Sequence, residues 1–198
     1  MTPAAPGAGG GPLDDRLDLA LRLSERFGGA VRGAEEFRGD LAVTVARDRL
    51  HDVLAMLRCE PDLDFAFLMD VTAVDHLAWG RIPRFDVVYH LYSLTHHRRL
   101  RVKCPLEEGD AWVPTATDVW QGADWFEREA WDMYGIVFEG HPNLRRILCH
   151  EDFEGHPLRK DFPADKRFFL PRPANLREQA PAWVRERAGG PAAGLISD

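Results

Sequence analysis

Cysteine is scarce in this sequence of 198 residues, and its scarcity excludes one class of site. Cys59, Cys104 and Cys149 are the three cysteines, and no two of them form a Cys-x-x-Cys pair. A cysteine-ligated iron–sulfur cluster needs four thiolates, and structural zinc sites use close cysteine or cysteine–histidine pairs. The chain therefore cannot hold a standard cluster by itself. The odd count and wide spacing are typical of reduced, intracellular thiols.

An excess of positive charge and any long apolar run are also lacking. The formal net charge is −7, which argues against nucleic-acid binding by the whole chain, because such binding depends on cationic side chains. A membrane span needs roughly 20 apolar residues, and FAFLM at 65–69 is typical of the longest run present. Residues 1–15 lack the features of a secretory or transit peptide. We expect no nucleic-acid partner, and membrane contact only through other proteins.

The residues that are present indicate one domain with extensions. Hydrophobic residues make up 45% of the chain and charged residues 29%, which is enough for one well-buried core. We divide the chain into a flexible leader at 1–12, an α+β core domain at 13–135, an irregular docking segment at 136–173 and a tail rich in proline and glycine at 174–198.

Hydrophobic periodicity predicts the elements of the core domain. One helix is expected to be capped by Asp14 and Asp15 and to end at Gly28, and a second to run from about Asp48 to Cys59. The predicted strands are 31–35, 40–46, DFAFLMDVTAVD, RFDVVYHLYSL and RRLRVKC, and the last two form a hairpin around THH. The order α-β-β-α-β-β-β predicts an α+β fold of two layers, with helices packed on one face of a mixed β-sheet.

A tryptophan-rich helix is predicted after the sheet, within TATDVWQGADWFEREAWDMYG at 115–135, with Gly135 as its end. On this helix Arg128 and Asp132 are i, i+4 neighbours, while Glu127 and Glu129 point to different sides. That spacing is poor for a pair of catalytic carboxylates. A solvated, ion-paired helix face is the simplest interpretation, and an interface role is the alternative.

The irregular segment contains the phrase FEGHP twice, at 138–142 and at 153–157, with basic residues after each copy. Glycine permits unusual backbone angles and proline fixes φ, so each copy predicts a sharp turn that presents a histidine and the following arginines. Between residues 127 and 167, nine acidic residues stand against seven basic ones. This balance suits internal ion pairs, or a protein interface at which matched charges set the orientation.

Histidine is the remaining candidate for chemistry. His141, His150 and His156 lie in the irregular segment, but no two histidines of the chain show the His-x3-His spacing of a metal-binding helix. Structural hydrogen bonding is therefore the simpler interpretation. Folding could still bring His141 and His156 together. A stand-alone metal hydrolase built on the three histidines with Asp152 is a remote alternative, and a free-standing acidic adaptor is another.

The stretch EREAWDMYGIVFEGHPNLRRIL resembles the signature of the C-type subunit of NADH-quinone oxidoreductase, the thirty-kilodalton subunit family of respiratory complex I. DFEGHPLRKDFP is similar to the second hallmark of that family, and VTAVD at 71–75 to a third. The resemblance covers roughly residues 14–170. The signature positions matched in the first stretch are Glu127, Arg128, Glu129, Asp132, Met133, Tyr134, His141, Arg145 and Ile147.

The resemblance implies a non-catalytic structural subunit in the hydrophilic arm of a proton-translocating NADH:quinone oxidoreductase. Such a chain binds no cofactor and has no active site, and FMN and iron–sulfur clusters lie in partner subunits that pass electrons from NADH to quinone. The implied partners are the quinone-cavity subunit of the D type and iron–sulfur subunits of the B and I types. The implied location is peripheral, on the cytoplasmic side of the bacterial inner membrane.

The resemblance also indicates which residues hold the irregular segment and dock it. These residues are Glu127, Arg128, Glu129, Asp132, His141, Arg145, Arg146, His156, Arg159, Lys160 and Asp161. The closest alternative is the same scaffold role in a related membrane-bound hydrogenase or in a ferredoxin- or F420-linked dehydrogenase.

Overall fold

The part of the chain that can be described is residues 12–165 of a computed structural model, with side chains from residue 17 onward. Apart from Pro12, the predicted leader lies outside the described residues, as do residues 166–173 and the predicted tail. Contacts between Cα atoms place residues 12–162 in one compact unit, and a second unit begins at Pro163. The domain boundaries given above stay a prediction.

The core elements follow the predicted order. Helix α1 spans Pro12–Phe27 and helix α2 spans Arg47–Cys59. Proline suits the first helical position, so α1 begins before the predicted cap at Asp14. The five strands are β1 (Val31–Phe37), β2 (Asp40–Val45), β3 (Phe67–Asp75), β4 (Phe85–Ser93) and β5 (Arg98–Leu106).

The five strands form one mixed sheet in the order β1-β2-β5-β4-β3. Strands β2 and β5 are parallel, and the other three neighbouring pairs are antiparallel. The connection between β2 and β5 contains α2, β3 and β4, and is long enough for the crossover that parallel strands require. The predicted α+β fold with a mixed sheet is confirmed.

The alternation along β5 separates the two faces of the sheet. Leu100, Val102 and Cys104 are buried, whereas Arg101 and Lys103 are partly exposed. Helices α1 and α2 contribute to the same core as the buried β5 residues, through Leu19, Leu23, Leu50, Val53, Leu54, Met56 and Leu57. Complete burial of one such side chain contributes about 1.5–3 kcal/mol, so this shared core is the main source of stability.

The tryptophan-rich helix is shorter than predicted. Helix α3 spans Ala123–Tyr134, and residues 115–122 form turns, so the helical prediction is wrong for that stretch. Threonine, aspartate and glycine in it have poor helix propensity, and the carbonyl of Ala116 closes local turns by accepting the N–H groups of Val119 and Trp120. The predicted end is confirmed, since Gly135 has a φ of 76° and caps α3.

A second sheet, of two short parallel strands, was not predicted. Strand β6 (Trp112–Pro114) pairs with β7 (Val137–Glu139). Three residues are too few to show a period of two. Strand β7 lies at the start of the irregular segment, and this pairing joins the segment to β6 of the core domain. From residue 140 to 165 the chain consists of turns, bends and irregular backbone.

Candidate docking site

Asp132 organises the irregular segment from a fully buried position on α3. Its Oδ1 accepts a hydrogen bond from Arg146 Nη1 at 2.6 Å. Its Oδ2 accepts the backbone N–H groups of Ile147, Leu148 and Cys149 at 2.9–3.0 Å. Burial acts to raise the pKa of Asp132, but these four donors outweigh burial and the pKa lies below its ordinary value. A charged carboxylate therefore fixes residues 146–149. These residues belong to the segment 136–162, which we call the strap.

Arg146 connects Asp132 to the second copy of the FEGHP phrase. Its Nη2 donates to the carbonyl oxygen of Phe153 at 2.7 Å and to that of Gly155 at 3.2 Å. The guanidinium carbon also lies 5.8 Å from the ring centre of Trp131. One side chain thus holds both halves of the strap against α3.

Arg128 is buried and donates to the strap backbone. Its Nε and Nη2 lie 3.3 Å from the carbonyl oxygens of Arg145 and Arg146 respectively, and its guanidinium lies over the ring of Trp125. The interpretation of Arg128 and Asp132 as a solvated, ion-paired helix face is wrong. The strap covers both side chains. Arg128 donates to carbonyl groups of the strap and Asp132 accepts N–H groups of the strap, and the two side chains do not pair with each other.

Glu127 and Glu129 point to different sides of α3, as their spacing predicts. Glu127 is fully buried and accepts the hydroxyl of Thr115 at 2.6 Å and the N–H of Ala116 at 2.7 Å. Burial raises the pKa of Glu127 to about 7, although the two hydrogen bonds act in the opposite direction. Glu129 is exposed.

The histidines of the two FEGHP copies bind different turns of α3. His141 Nδ1 accepts the N–H of Asn143 at 3.0 Å, and its Nε2 donates to the carbonyl oxygen of Asp124 at 3.2 Å. His156 Nδ1 lies 3.0 Å from the carbonyl oxygen of Asp132. Residues 124 and 132 are separated by about 12 Å along a helix axis, so these histidines do not converge.

The second FEGHP copy and the arginine that follows it cap the C-terminal end of α3. His156 Nδ1 donates to the carbonyl oxygen of Asp132, and Arg159 Nε donates to that of Tyr134 at 2.6 Å, which satisfies carbonyl groups that the helix leaves without partners. A Cβ atom at Gly135 would lie 2.5 Å from His156 Nε2 and 2.9 Å from Arg159 Nη2. Burial, with nearby guanidinium groups, lowers the pKa of His156, so its imidazole is neutral at pH 7.

A second ion cluster, centred on the buried Arg84, fixes the end of the strap. Arg84 donates to Asp75 through Nε at 3.0 Å and Nη2 at 2.8 Å, and to Asp161 at 2.7 and 3.2 Å. Its Nη1 also donates to Glu108 at 2.5 Å. Asp75 accepts the backbone N–H of Lys160 at 2.9 Å. Burial acts to raise the pKa of Asp75, but Arg84 and the backbone donors overcome it and hold the pKa at about 2.

The predicted docking residues fall into two groups. One group uses its side chains within the chain: Glu127, Arg128, Asp132, His141, Arg146, His156, Arg159 and Asp161. The other group is exposed and consists of Glu129, Arg145 and Lys160. No side-chain hydrogen bond or ion pair joins any of these three to another described residue. Lys160 contributes its backbone N–H alone. A role for either group in docking stays a prediction.

Sequence reasoning missed Arg84, the centre of the second cluster. Asp75 ends the VTAVD stretch, and it accepts a hydrogen bond from Lys160, which is 85 residues away in the sequence. A sequence pattern over a few residues does not predict a contact between residues so far apart. The available signal was the position of Arg84 beside β4, a strand whose first five residues are all buried. A cation next to a fully buried strand implies a buried acidic partner.

The histidines of the remote hydrolase alternative do not form a metal site in the described part of the chain. Within residues 12–165, no three histidine, cysteine, aspartate or glutamate side chains are placed to hold one ion. His150 packs edge-on against Phe153, with ring centres 5.6 Å apart. The geometry therefore offers this alternative no ligand set.

The comparisons with known proteins identify the family. Residues 43–168 match the family described as "Respiratory-chain NADH dehydrogenase, 30 Kd subunit". The chain belongs to this family. It is 52% identical over 143 residues to the NADH-quinone oxidoreductase C-type subunit of Citrifermentans bemidjiense, covering 72% of this chain and 86% of that protein. With the C-type subunit of Acidithiobacillus ferrooxidans, identity is 46% over 195 residues, covering 90% and 96%.

Solved structures agree with the fold. The trypsin-resistant fragment (1–134) of Nqo5 is 36% identical, with a TM-score of 0.57 over 65% of this chain and 99% of that one. A chain of the membrane-bound sulfane sulfur reductase, an archaeal respiratory membrane complex, is 21% identical, with a TM-score of 0.61 over 93% and 96%. At that identity the second likeness shows the fold alone.

Family membership confirms the resemblance drawn from the signature stretches, and makes the chain part of a multi-subunit NADH-quinone oxidoreductase. The family match includes α3, both FEGHP copies and Asp75. Among residues 12–165, no helix is both long enough and apolar enough to cross a membrane.

Proposed function

We propose that this chain is a structural scaffold in the hydrophilic arm of the NADH-quinone oxidoreductase, with no cofactor and no active site of its own. It docks against the quinone-cavity subunit of the D type and against iron–sulfur subunits of the B and I types. In this arrangement FMN and iron–sulfur clusters in those partners carry electrons from NADH to quinone, and protons are translocated elsewhere in the complex. The chain lies at the cytoplasmic side of the inner membrane as a peripheral subunit.

The observation that supports this proposal most directly is the internal fixation of the strap. Two buried carboxylates, Asp132 and Asp75, bind its backbone at 147–149 and at Lys160. A segment that is already ordered loses little conformational entropy when a partner binds. Electron transfer requires cofactors at fixed separations, and a rigid wall helps to hold the subunits that carry them.

The exposed side of the strap and of α3 carries apolar side chains together with charges of both signs. Arg145 and Lys160 present cations, Glu129 presents an acid, and Leu148 and Leu158 are exposed apolar side chains. Exposed apolar groups with interspersed charges of both signs give a partner both contact area and orientation.

The shifted pKa values of three buried carboxylates support a structural role, because each of the three has a structural explanation. The pKa values of Asp132 and Asp75 are lowered by the donors that fix the strap, and that of Glu127 is raised by burial, against the hydrogen bonds from Thr115 and Ala116. Perturbed groups at catalytic sites lie in clefts that a substrate can reach, whereas these three carboxylates are buried.

Arg145→Ala tests the proposal. Because the Arg145 side chain is exposed, the stability of the chain should change by no more than about 0.5 kcal/mol, while recovery of the assembled complex and quinone-linked NADH oxidation should fall together. Arg26→Ala, which removes an exposed cation from α1, is the matched control and should leave both unchanged. Normal assembly with lost turnover would contradict the scaffold role and indicate direct chemistry at the strap.

A scaffold role in a related respiratory complex is the second candidate. It is favoured by the fold likeness to a chain of the archaeal sulfane sulfur reductase complex, which extends over 93% of this chain. The electron-input protein that co-purifies with the tagged chain distinguishes the two candidates. An NADH-oxidising flavoprotein supports the first, and a hydrogenase or a ferredoxin- or F420-dependent protein supports the second.

A further inference from the structure

The loop between β3 and β4 exposes three large apolar side chains. Among the described residues, Ile82 and Trp79 have the largest exposed fractions of any large apolar residue, 82% and 74%, and Leu77 is also exposed. We call residues 76–83 the apolar loop. Single exposed apolar residues are normal on protein surfaces, but a cluster of them marks an interaction site. A tryptophan buries about 150–250 Å² in a contact, so this loop can supply substantial binding energy.

The backbone of the apolar loop is held by hydrogen bonds within the chain. The N–H of His76 donates to the carbonyl oxygen of Arg84 at 2.8 Å, which closes the base of the loop. The N–H of Leu77 donates to Asp75 Oδ1 at 2.9 Å. The N–H of Trp79 donates to the carbonyl oxygen of His76 at 2.9 Å. The exposed side chains therefore project from an ordered backbone.

Buried polar groups support the loop from below. His76 Nε2 lies 2.9 Å from Asp86 Oδ2, and both residues are buried. Arg81 Nη1 lies 3.2 Å from the same oxygen. The imidazole of His76 packs against the indole of Trp79, with ring centres 5.6 Å apart. This contact restricts the indole on one side, which reduces the rotamer entropy that is lost when it enters a pocket.

We propose that the apolar loop is a docking surface that inserts Trp79 and Ile82 into an apolar pocket of a neighbouring protein of the complex, with a carboxylate of that neighbour facing Arg81. The inference rests on the proposed function, since it requires assembly with other subunits. Tryptophan and arginine are the residue types enriched at binding hot spots. The Arg81 side chain is 48% exposed, so its guanidinium keeps donors for a second carboxylate.

The position and charge of the loop favour a protein occupant. Asp75 accepts the N–H of Leu77 in the loop and the N–H of Lys160 in the strap, so the loop lies beside the strap, whose exposed side is already proposed to dock. Most charged signature residues form hydrogen bonds or ion pairs within the chain. The apolar loop offers a partner apolar contact area, which those charged residues do not provide. A lipid surface is disfavoured because a chain with a net charge of −7 is repelled by anionic headgroups.

The first test compares two double variants of the full-length chain. W79A/I82S removes the exposed apolar loop residues, and L17A/L21S removes comparable exposed side chains from α1. Each purified chain is titrated onto solubilised complex from cells that lack the chain. The affinity of W79A/I82S should fall at least about 30-fold, with an unchanged urea midpoint, while L17A/L21S should bind within about 3-fold of wild type. Equal affinity for wild type and W79A/I82S overturns the proposal.

The second test keeps an aromatic group in place. Trp79 is replaced with the photo-crosslinking residue p-benzoylphenylalanine, and the purified complex is irradiated and analysed by mass spectrometry. A covalent adduct with a different protein of the complex supports the proposal, and an adduct with lipid or with a second copy of this chain overturns it. If the wild-type chain fails to co-purify with redox subunits, the proposed function fails. If it co-purifies and W79A/I82S does so equally well, this inference alone fails.

Discussion

At the scale of single residues, Asp132 and Glu127 show that burial alone does not set the state of a carboxylate. Both are fully buried on α3. Asp132 receives a guanidinium and three backbone N–H groups, and its pKa is lowered. Glu127 receives one hydroxyl and one N–H, and its pKa is raised to about 7. The number and charge of the donors decide whether burial is overcome.

Glu127→Gln should flatten the pH dependence of stability between about pH 4.5 and pH 7. Because the pKa of Glu127 rises on folding, the folded state holds the proton more tightly, so wild-type stability falls as pH rises through this window. The loss above pH 7 should be about 3 kcal/mol, at 1.36 kcal/mol per pKa unit. Urea unfolding at pH 5 and pH 8 measures this loss. A variant that keeps the full wild-type slope would refute the assignment to Glu127.

Asp132→Ala should destabilise the chain by about 3–5 kcal/mol, because it leaves Arg146 without its buried partner and three N–H groups without an acceptor. The lowered pKa of Asp132 gives wild type stability that is present above about pH 4 and is lost as pH falls through the folded-state pKa. Urea unfolding from pH 7 to pH 3 measures both effects. Asp52→Asn, at an exposed ion pair on α2, is the control and should cost under about 1 kcal/mol.

At the scale of elements, α3 and the strap complete each other. The strap supplies His156 and Arg159 to the last carbonyl groups of α3, and α3 supplies Asp132 to three N–H groups of the strap. The repeated FEGHP phrase thus binds the helix at two places, with His141 at the first turn and His156 at the last. Because each element satisfies polar groups of the other, we expect them to fold and unfold together.

Gly135→Ala should destabilise this pairing strongly, while Gly122→Ala should not. At Gly135 the φ of 76° is unfavourable for alanine, and the added Cβ would lie 2.5 Å from His156 Nε2. At Gly122 the φ is −65° and no atom lies within 4 Å of an added Cβ. We expect a loss of more than about 2 kcal/mol for the first variant and less than about 0.5 kcal/mol for the second, measured by urea unfolding.

A double variant separates the two causes of that loss. In His156→Ala the two closest atoms to the added Cβ are absent, so Gly135→Ala should cost less in that background than in wild type. The remaining loss is due to φ and to Arg159 Nη2, which would lie 2.9 Å from the Cβ. Equal losses in both backgrounds would mean that contact with His156 is not part of the cause.

At the scale of the whole molecule, Arg84 joins parts of the chain that are far apart in sequence. Its partners are Asp75 before it, Glu108 after β5, and Asp161 at the end of the strap, which is 77 residues away. Closing so long a loop costs entropy, and a buried guanidinium shared by three carboxylates opposes that cost. The strap is therefore fixed in its middle by Asp132 and at its end by Arg84.

Arg84→Met should release the end of the strap and destabilise the chain by about 3–5 kcal/mol, since Asp75 would stay buried without its cation. Hydrogen exchange at the Lys160 amide should accelerate, because this N–H donates to Asp75. The exchange rates of the β4 amides should change only as much as the free energy of global unfolding requires. Arg49→Met, at an exposed pair with Asp52, is the control. Unchanged protection of Lys160 in Arg84→Met would show that Arg84 does not fix the strap.

Much of the core fold could be predicted from sequence, because short-range periodicity reports which face of an element is buried. The alternation of Leu100, Val102 and Cys104 with arginines and lysine placed β5 correctly, and Gly135 marked the end of α3. The start of α3 and the pair β6 and β7 were not predicted. Strands of three residues carry no period, and the turns at 115–122 depend on Glu127, whose acceptor role a linear pattern does not show.

The sequence by itself determined the family, the order of elements and the absence of a four-cysteine cluster ligand set, because these depend on residue identity and local spacing. Only the tertiary structure decided which charges meet. Asp132 pairs with Arg146 and not with its helical neighbour Arg128, and Asp161 pairs with Arg84, which no motif marked. The physical reason is that a buried charge takes whichever partner the fold brings within hydrogen-bond distance, and that distance bears no relation to separation along the chain.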